Sequence, residues 1–269
     1  MSGLLQTTLN ETLADLPAGG VAQLSTLIDP AWIEQALLAT GKASIRRRKL
    51  PAEHAVWLVI GLALFRQMPL WQVVQEMALT LDGKDLPAPS ASVQARQRLG
   101  AEPLEHLFAL LTQAWGRAHP VHEETLRVLA VDGVVWSAPD SVSNRQVLGS
   151  GQTQYGPQPW PMVRAVCLLD TDSHELLDAK LGDYSRGELT LAAGLRGLDH
   201  SITLFDRAYF SCAFLLDWQH GGTERHWLMR ARDNLRYEVV QTLGEDDWLI
   251  RMPVSPQARK LRPVLPIHW

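Results

Sequence analysis

The 269-residue chain is long enough for one large domain or two modest ones, with 46% apolar and 20% charged residues, as in ordinary globular proteins. Its net charge of −4 neither announces nor excludes a polyanionic partner. Ten basic and ten acidic residues precede Pro120, while fifteen and nineteen follow it, so the acidic excess lies in the second part.

The first 120 residues read as helical throughout. Asp29 and Pro30 form a start signal, a side-chain cap followed by proline at the first helical position, and that helix runs to Gly41. A basic run follows, Arg46, Arg47, Arg48 and Lys49, then a buried helix from about Glu53 and another from Pro69 to Met77. Its most apolar stretch, Ala55 to Phe65, falls short of the roughly 20 residues a membrane span needs. No basic leader precedes an apolar run at the N-terminus. Residues 81–89 read as a loop, and Ser92 as the cap of a short helix from Val93 to Leu99. Gln94, Gln97 and Arg98 share a polar face there, with Arg96 nearby, which suits either a helix-turn-helix-like DNA contact or a solvated bundle face. Pro103 to Trp115 forms the next helix.

From about Leu126 the period shortens to that of strands. Arg127 to Trp136 is an apolar strand interrupted by Asp132, and residues 139–161 read as a long loop. Met162–Leu169 and Glu175–Leu181 make a hairpin. Glu188–Leu198 is helical, Ile202–Phe205 a strand, Ser211–Trp218 a helix and Trp227–Ala231 a fifth strand. The order implies an α/β arrangement, a mixed sheet with flanking helices. Residues 234–254 alternate enough for a small separate sheet, and 256–269 should form no element, so the chain reads as cut rather than finished.

Two acids stand out by position. Asp132 sits within an apolar strand and Asp206 directly follows another, and a carboxylate so placed is costly unless something compensates it. Each has a bland explanation, a turn residue before Gly133 and a helix cap before Ala208. Together, at the ends of neighbouring strands, they would suit Mg2+, a hard cation that takes oxygen ligands, in a two-ion phosphoryl-transfer site needing at least one more acid. Cys167 and Cys212 lack paired spacing and read as reduced, buried thiols of a cytoplasmic protein. No dinucleotide fingerprint, phosphate loop or nucleophile elbow occurs. His119 and His122 beside Glu123 and Glu124 lack zinc-site spacing. Tyr155 and Trp160 are the aromatics placed in a loop, where base stacking is conceivable.

Arg127 to Ser141, with Asp132 and Gly133, resembles the first catalytic strand of DDE transposases of the insertion sequence 4 family. Thr203 to Ser211, followed by Leu215, is similar to that family's second acid motif. Trp160 to Arg164, then Gly187, Glu188, Leu191 and Ala192, follow its order, and Ser90 to Gly100 with Glu102 to Leu104 is similar to its helical N-terminal domain. The resemblance implies a DNA-binding helical domain over 1–120 and an RNase H-like catalytic domain over 121–269, with a β-rich insertion beginning near residue 234. It also implies Mg2+, cut-and-paste transposition, double-stranded DNA at transposon ends, a homodimer on that DNA and a cytoplasmic, nucleoid-associated protein. Carried over by position, Asp132 and Asp206 would be catalytic metal ligands, and Arg207 and Tyr209 would approach DNA. The family's third acid, a Glu in a Tyr-Arg-Glu-Lys helix, has no counterpart: Glu224, Glu238 and Glu245 lack that setting. The expectation is a transposase-derived chain without a complete active site, or alternatively a DNA-binding inhibitor of a full-length enzyme.

Overall fold

The structure, a computed structural model, describes residues 20–43, 50–79, 86–116, 125–154 and 156–269. Contacts divide the chain into two compact units, with the division between Trp115 and Gly116.

Among the described residues of the first unit the elements are all helices: α1 Gly20–Leu27, α2 Pro30–Ala39, α3 Ala52–Leu64, α4 Leu70–Glu76, α5 Pro89–Leu99 and α6 Glu102–Gly116. Local chemistry sets several ends. The Asp29 carboxylate accepts the Ala31 N–H at 2.8 Å, Pro30 occupies the first turn, and Gly41 at φ +66° takes the left-handed turn beyond α2. Ile33, Leu37, Val56, Leu58, Val73, Val74, Met77, Leu99 and Leu107 share one core. Gly61 brings α3 against α4, since a methyl there would lie 2.8 Å from Met77 Cγ.

One helix start differs from the expectation. α5 begins at Pro89, not after Ser92, because a proline lacking an N–H is well suited to a first helical position. Ser92 then falls on the stripe of Ala95 and Leu99, three and seven residues on, and is fully buried rather than capping.

The second unit is built on a five-stranded mixed sheet. Its strands are β1 Arg127–Ser137, β4 Met162–Asp170, β5 Leu176–Asp183, β6 Ser201–Phe205 and β7 Arg225–Met229, in the order β5-β4-β1-β6-β7. β4 is antiparallel to both β1 and β5, whereas β6 pairs parallel to β1 and to β7. Parallel neighbours need crossovers, supplied here by α8 Glu188–Ala192 and α9 Cys212–His220. This is the RNase H-like arrangement, an all-helical region followed by a mixed sheet with flanking helices. Leu129, Val131, Val166, Leu168 and Phe205 meet Leu191, Leu215 and Trp218 in its core. Phe205 packs edge-on against Phe214 at 5.3 Å and Trp218 at 5.2 Å, and the Trp218 indole donates to Thr203 Oγ1 at 3.2 Å.

Residues 139–161 are not one loop. They hold α7 Val142–Leu148, capped by Ser141 and closed by Gly149 at φ +65°, and the two-residue strands β2 Gln152–Thr153 and β3 Gly156–Pro157. No residue of α7 is buried, so it leaves no apolar period to read. Its Ser141 cap and the 2.5 Å Arg145–Asp140 ion pair hold it instead. α8 ends at Ala192, well before Leu198. Gly194 and Gly197 follow, and a methyl at Gly197 would lie 2.9 Å from the Trp218 ring.

β8 Glu238–Gly244 and β9 Asp247–Arg251 form the small separate sheet anticipated for this stretch. The last residues do form structure. α10 Pro256–Leu261 is capped by Ser255, and Met252 and Trp269 exchange backbone hydrogen bonds of 2.6 and 2.8 Å. The Trp269 ring, 5.2 Å from Trp227, anchors this return, which a count of basic and proline residues did not reveal. Among the described residues no helix is long and apolar enough to cross a membrane.

Candidate active site

Parallel pairing of β1 with β6 sets Val131 opposite Phe205. Asp132 and Asp206 are the next residues on the two chains, so both aspartates leave the same end of the β1–β6 pair. Neighbouring strands stand about 4.8 Å apart, which brings the two positions within reach of a common ligand. Asp132 is not buried: its strand's buried positions are Leu129 and Val131, and the alternation turns Asp132 outward. Nor does it end the strand, which runs on to Ser137. Its Oδ1 accepts the Gly133 N–H at 2.8 Å. Asp206 does cap, as the bland explanation held, though what it caps is a single 3-10 turn, Arg207–Tyr209, through the Ala208 N–H at 3.3 Å.

Other groups surround this pair. Cys167 lies opposite Asp132 on β4, and its thiol is pushed up by burial and then by the charges of Asp132 and Asp178. Both cysteines are free but only partly buried. Tyr209 is 1% exposed, its ring 5.9 Å from that of Phe205, so it supports the site from within rather than presenting a ring to a duplex. Burial, and next the negative charges of Glu188, Asp132 and Asp206, push its hydroxyl well above the usual phenol range. Glu188 was named from sequence only as part of the run that follows the family's order, with no role at the site. Its carboxyl lies over Gly133, whose place a methyl would take at 2.8 Å from Glu188 Cδ. Arg164 Nε lies 3.9 Å from Glu188 Oε1.

Beyond Asp206 the surface carries charges of both signs. An open depression of about 580 Å³ is lined by Asp206, Arg207, Ala208, Arg232, Asp233 and Asn234. Arg207 is half exposed and pairs with Asp233 at 3.6 Å. Arg232, also missed from sequence, donates to the Arg207 carbonyl at 3.0 Å and lies 5.5 Å over the Phe210 ring.

On α5, Gln94, Arg96, Gln97 and Arg98 are all exposed. At about 100° per residue, Gln94, Gln97 and Arg98 share the outward face, whereas Arg96 flanks the buried stripe on its other side. Arg46, Arg47, Arg48 and Lys49 lie outside the described residues, as do Tyr155 and the His119–Glu124 cluster. Trp160 is 52% exposed. Glu224 is bound to His200 at 2.6 Å and Glu238 faces Arg251 at 3.8 Å.

The donor set at the aspartate pair is all oxygen, which fits Mg2+, an ion that binds through one or two carboxylates and retains water for the substrate. Among the described residues, however, no three His, Cys, Asp or Glu side chains converge as placed to hold a metal ion.

The chain thus carries two aspartates at one end of a parallel strand pair in an RNase H-like sheet, and a helical unit precedes that sheet. Residues 19–109 match the insertion element 4 transposase N-terminal family, and residues 123–264 the transposase DDE domain family. The chain belongs to the insertion sequence 4 family of DDE transposases. It is 37% identical over 249 residues to the transposase InsG for insertion sequence element IS4 of Escherichia coli K12, covering 91% of this chain and 56% of InsG. It is 35% identical over 218 residues to the putative transposase InsZ of the same organism, covering 78% of this chain and 71% of InsZ. The chain thus spans a little over half the length of InsG. The piggyBac transposase synaptic complex with hairpin DNA is similar with a TM-score of 0.35 and 10% identity, over 84% of this chain and 55% of that one, a likeness too low to bear on the site.

Proposed function

We propose that this chain serves cut-and-paste DNA transposition, residues 1–120 recognising double-stranded transposon ends and residues 121–269 contributing carboxylates for phosphodiester chemistry. Two copies acting on a pair of ends is the arrangement this reading favours. The observation that carries it is the Val131–Phe205 register, which sets Asp132 and Asp206 side by side. These two aspartates would hold Mg2+, which when bound neutralises phosphate charge and makes a water or 3′-hydroxyl easier to deprotonate. The outward oxygens of Asp132 leave it accessible to a substrate, and the Asp206 cap fixes its carboxylate against the 3-10 turn. Arg207 and Arg232 beside Asp206 are suited to a neighbouring phosphate, since guanidinium groups bind phosphate oxygens in pairs. The outward Gln94, Gln97 and Arg98 of α5, with Arg96 and the basic run Arg46–Lys49, are the candidates for contact with the duplex.

The test is binding and cleavage of the element's own terminal repeats by the purified chain, with an unrelated duplex as control. Expected is end-selective binding that weakens linearly on a log–log plot against salt. End cleavage that requires Mg2+ supports the full catalytic reading. Selective binding without cleavage supports instead an occupant of transposon ends that inhibits a full-length enzyme. Cleavage with no preference for the ends, or no binding to either duplex, would overturn the transposition reading for this chain.

A further inference from the structure

The small sheet of β8 and β9 stands outside the packed interior of the second unit. Every residue of β8 is exposed, as is every residue of β9 except Ile250. Val239, Trp248 and Leu249 are 47%, 45% and 50% exposed, and no residue of either strand belongs to the buried cores or packs against them. A lone two-stranded hairpin is marginally stable in water, and an exposed apolar strand edge is a template for another strand.

The two edges of this hairpin are not equivalent. The register advances two residues on β8 for one on β9 at Val240 and again at Leu243, so β8 carries two irregularities. Such bulges twist an edge away from further pairing. β9 is regular over Asp247–Arg251 and holds no proline or lysine to blunt its edge. Among the described residues it pairs with β8 alone, and beyond Arg251 the chain bonds to its own last residues through Met252 and Trp269. The sequence of β9, Asp-Trp-Leu-Ile-Arg, is complementary to itself in the antiparallel sense. About a two-fold axis at Leu249, Asp247 of one copy faces Arg251 of the other, and Trp248 faces Ile250. Side chains alternate along a strand, so the charged pairs share one face with Leu249 and the apolar pairs share the other. Opposite charges and aromatic–β-branched pairs directly across an antiparallel ladder are both favourable. Arg251 meets Glu238 of its own hairpin only at 3.8 Å and is half exposed, which leaves its guanidinium room for a second carboxylate.

We propose that the open edge of β9 is a self-association surface, through which two copies of this chain join their hairpins into one continuous four-stranded sheet. The joined sheet has more than the three strands that independent stability requires. The interface is isologous, so each charged pair and each apolar pair occurs twice. This surface goes beyond the transposition reading and depends on neither Asp132, Asp206 nor DNA.

The experiment is analytical ultracentrifugation of the full 269-residue chain without DNA over a range of concentrations, with circular dichroism on each variant to check the fold. Expected is a dimer that dissociates on dilution. Asp247→Lys and Arg251→Glu each set like charges opposite one another at both symmetric positions, and each should weaken dimerisation about tenfold. An equimolar mixture of these two variants should recover the dimer, because in the mixed pair every charge meets an opposite one. Leu249→Glu brings two carboxylates together at the axis and leaves the Glu238–Arg251 pair in place. It should weaken the dimer likewise, and it covers the case in which a charge reversal unfolds the hairpin. A parent chain that stays monomeric, or a dimer unmoved by all three substitutions, would overturn the proposal. So would a mixture no more dimeric than its separate components. Each of these results leaves the transposition reading standing.

Discussion

The two units bury different chemistry. Among the described residues of the helical unit, Ser92 is the buried polar residue in an otherwise apolar core. The sheet unit buries Asp170, Asp178, Ser201 and Thr203, each with hydrogen-bond partners. A core of aliphatic side chains tolerates change according to how well a cavity collapses. A buried carboxylate is stable only while its partners remain, so the sheet carries its polar groups in a more brittle form. The candidate site differs from both, since Asp132 and Asp206 are exposed acids placed by backbone register.

The sharpest break of this contrast is at Asp170. It is 3% exposed, pairs with the Arg127 guanidinium and accepts the N–H groups of Asp172 at 2.7 Å and Ser173 at 3.0 Å. Asp170→Ala strands Arg127 and two turn amides, and should cost about 3–5 kcal/mol in urea unfolding. A loss under 1 kcal/mol would show that the pair is not holding the β4–β5 turn. Leu58→Ala in the helical core should cost about 2–5 kcal/mol by cavity formation, with little dependence on pH.

Acid should separate the two kinds of core. Burial pushes the Asp170 carboxyl up, but the Ser173 N–H, the Arg127 guanidinium and the Asp172 N–H outweigh it, so the folded pKa lies below its ordinary value. The folded state therefore binds this proton less readily than the unfolded chain. Its stabilisation is present above the unfolded value, about 3.9, and is lost as pH falls through the lower folded value. Urea midpoints should drop below about pH 4 in the parent chain, and Asp170→Asn should flatten that part of the profile. An unchanged acid limb in the asparagine variant would assign the drop to other carboxylates.

What was legible in the sequence follows the same division. The start of α2 could be read because Asp29 and Pro30 act on their own neighbours. The sheet's strands could be read because each carries a run of apolar residues. α7 could not, since none of its residues is buried and Val142 and Val147 are 75% and 72% exposed. Asp132 and Asp206 were visible as acids against apolar strands, but that Asp132 faces outward depends on which side of the sheet the helices cover. Glu188 was legible only within a run that follows the family's order, and nothing local placed it over Gly133. Its place over Gly133 exists only after the β4–β5 hairpin has returned the chain to β1, and long-range packing of that sort has no period in the sequence.

A smaller effect is expected where only a local cap is removed. Asp29→Ala deletes the acceptor for the Ala31 N–H and should cost about 1 kcal/mol, because the exposed amide can turn to water instead. A cost of several kcal/mol would mean that the helical unit, too, depends on polar groups with no substitute partner.

The last test lies on α5 and asks whether the helical unit's function faces outward, as its apolar core suggests. Arg98 shares the outward face with Gln94 and Gln97, while Arg96 stands on the far flank of the buried stripe. The carbonyl of Arg98 also accepts from Lys42 Nζ at 3.4 Å, which keeps a second cation near that face. If this face meets a duplex, Arg98→Ala should weaken DNA binding across all sequences and reduce the slope of log affinity against log salt by about 1, the signature of one lost phosphate contact. Arg96→Ala should change the slope by much less. Equal effects from both arginines would point to diffuse attraction rather than a docked helix face, and the reverse order would move the DNA-facing side of α5 to its other flank.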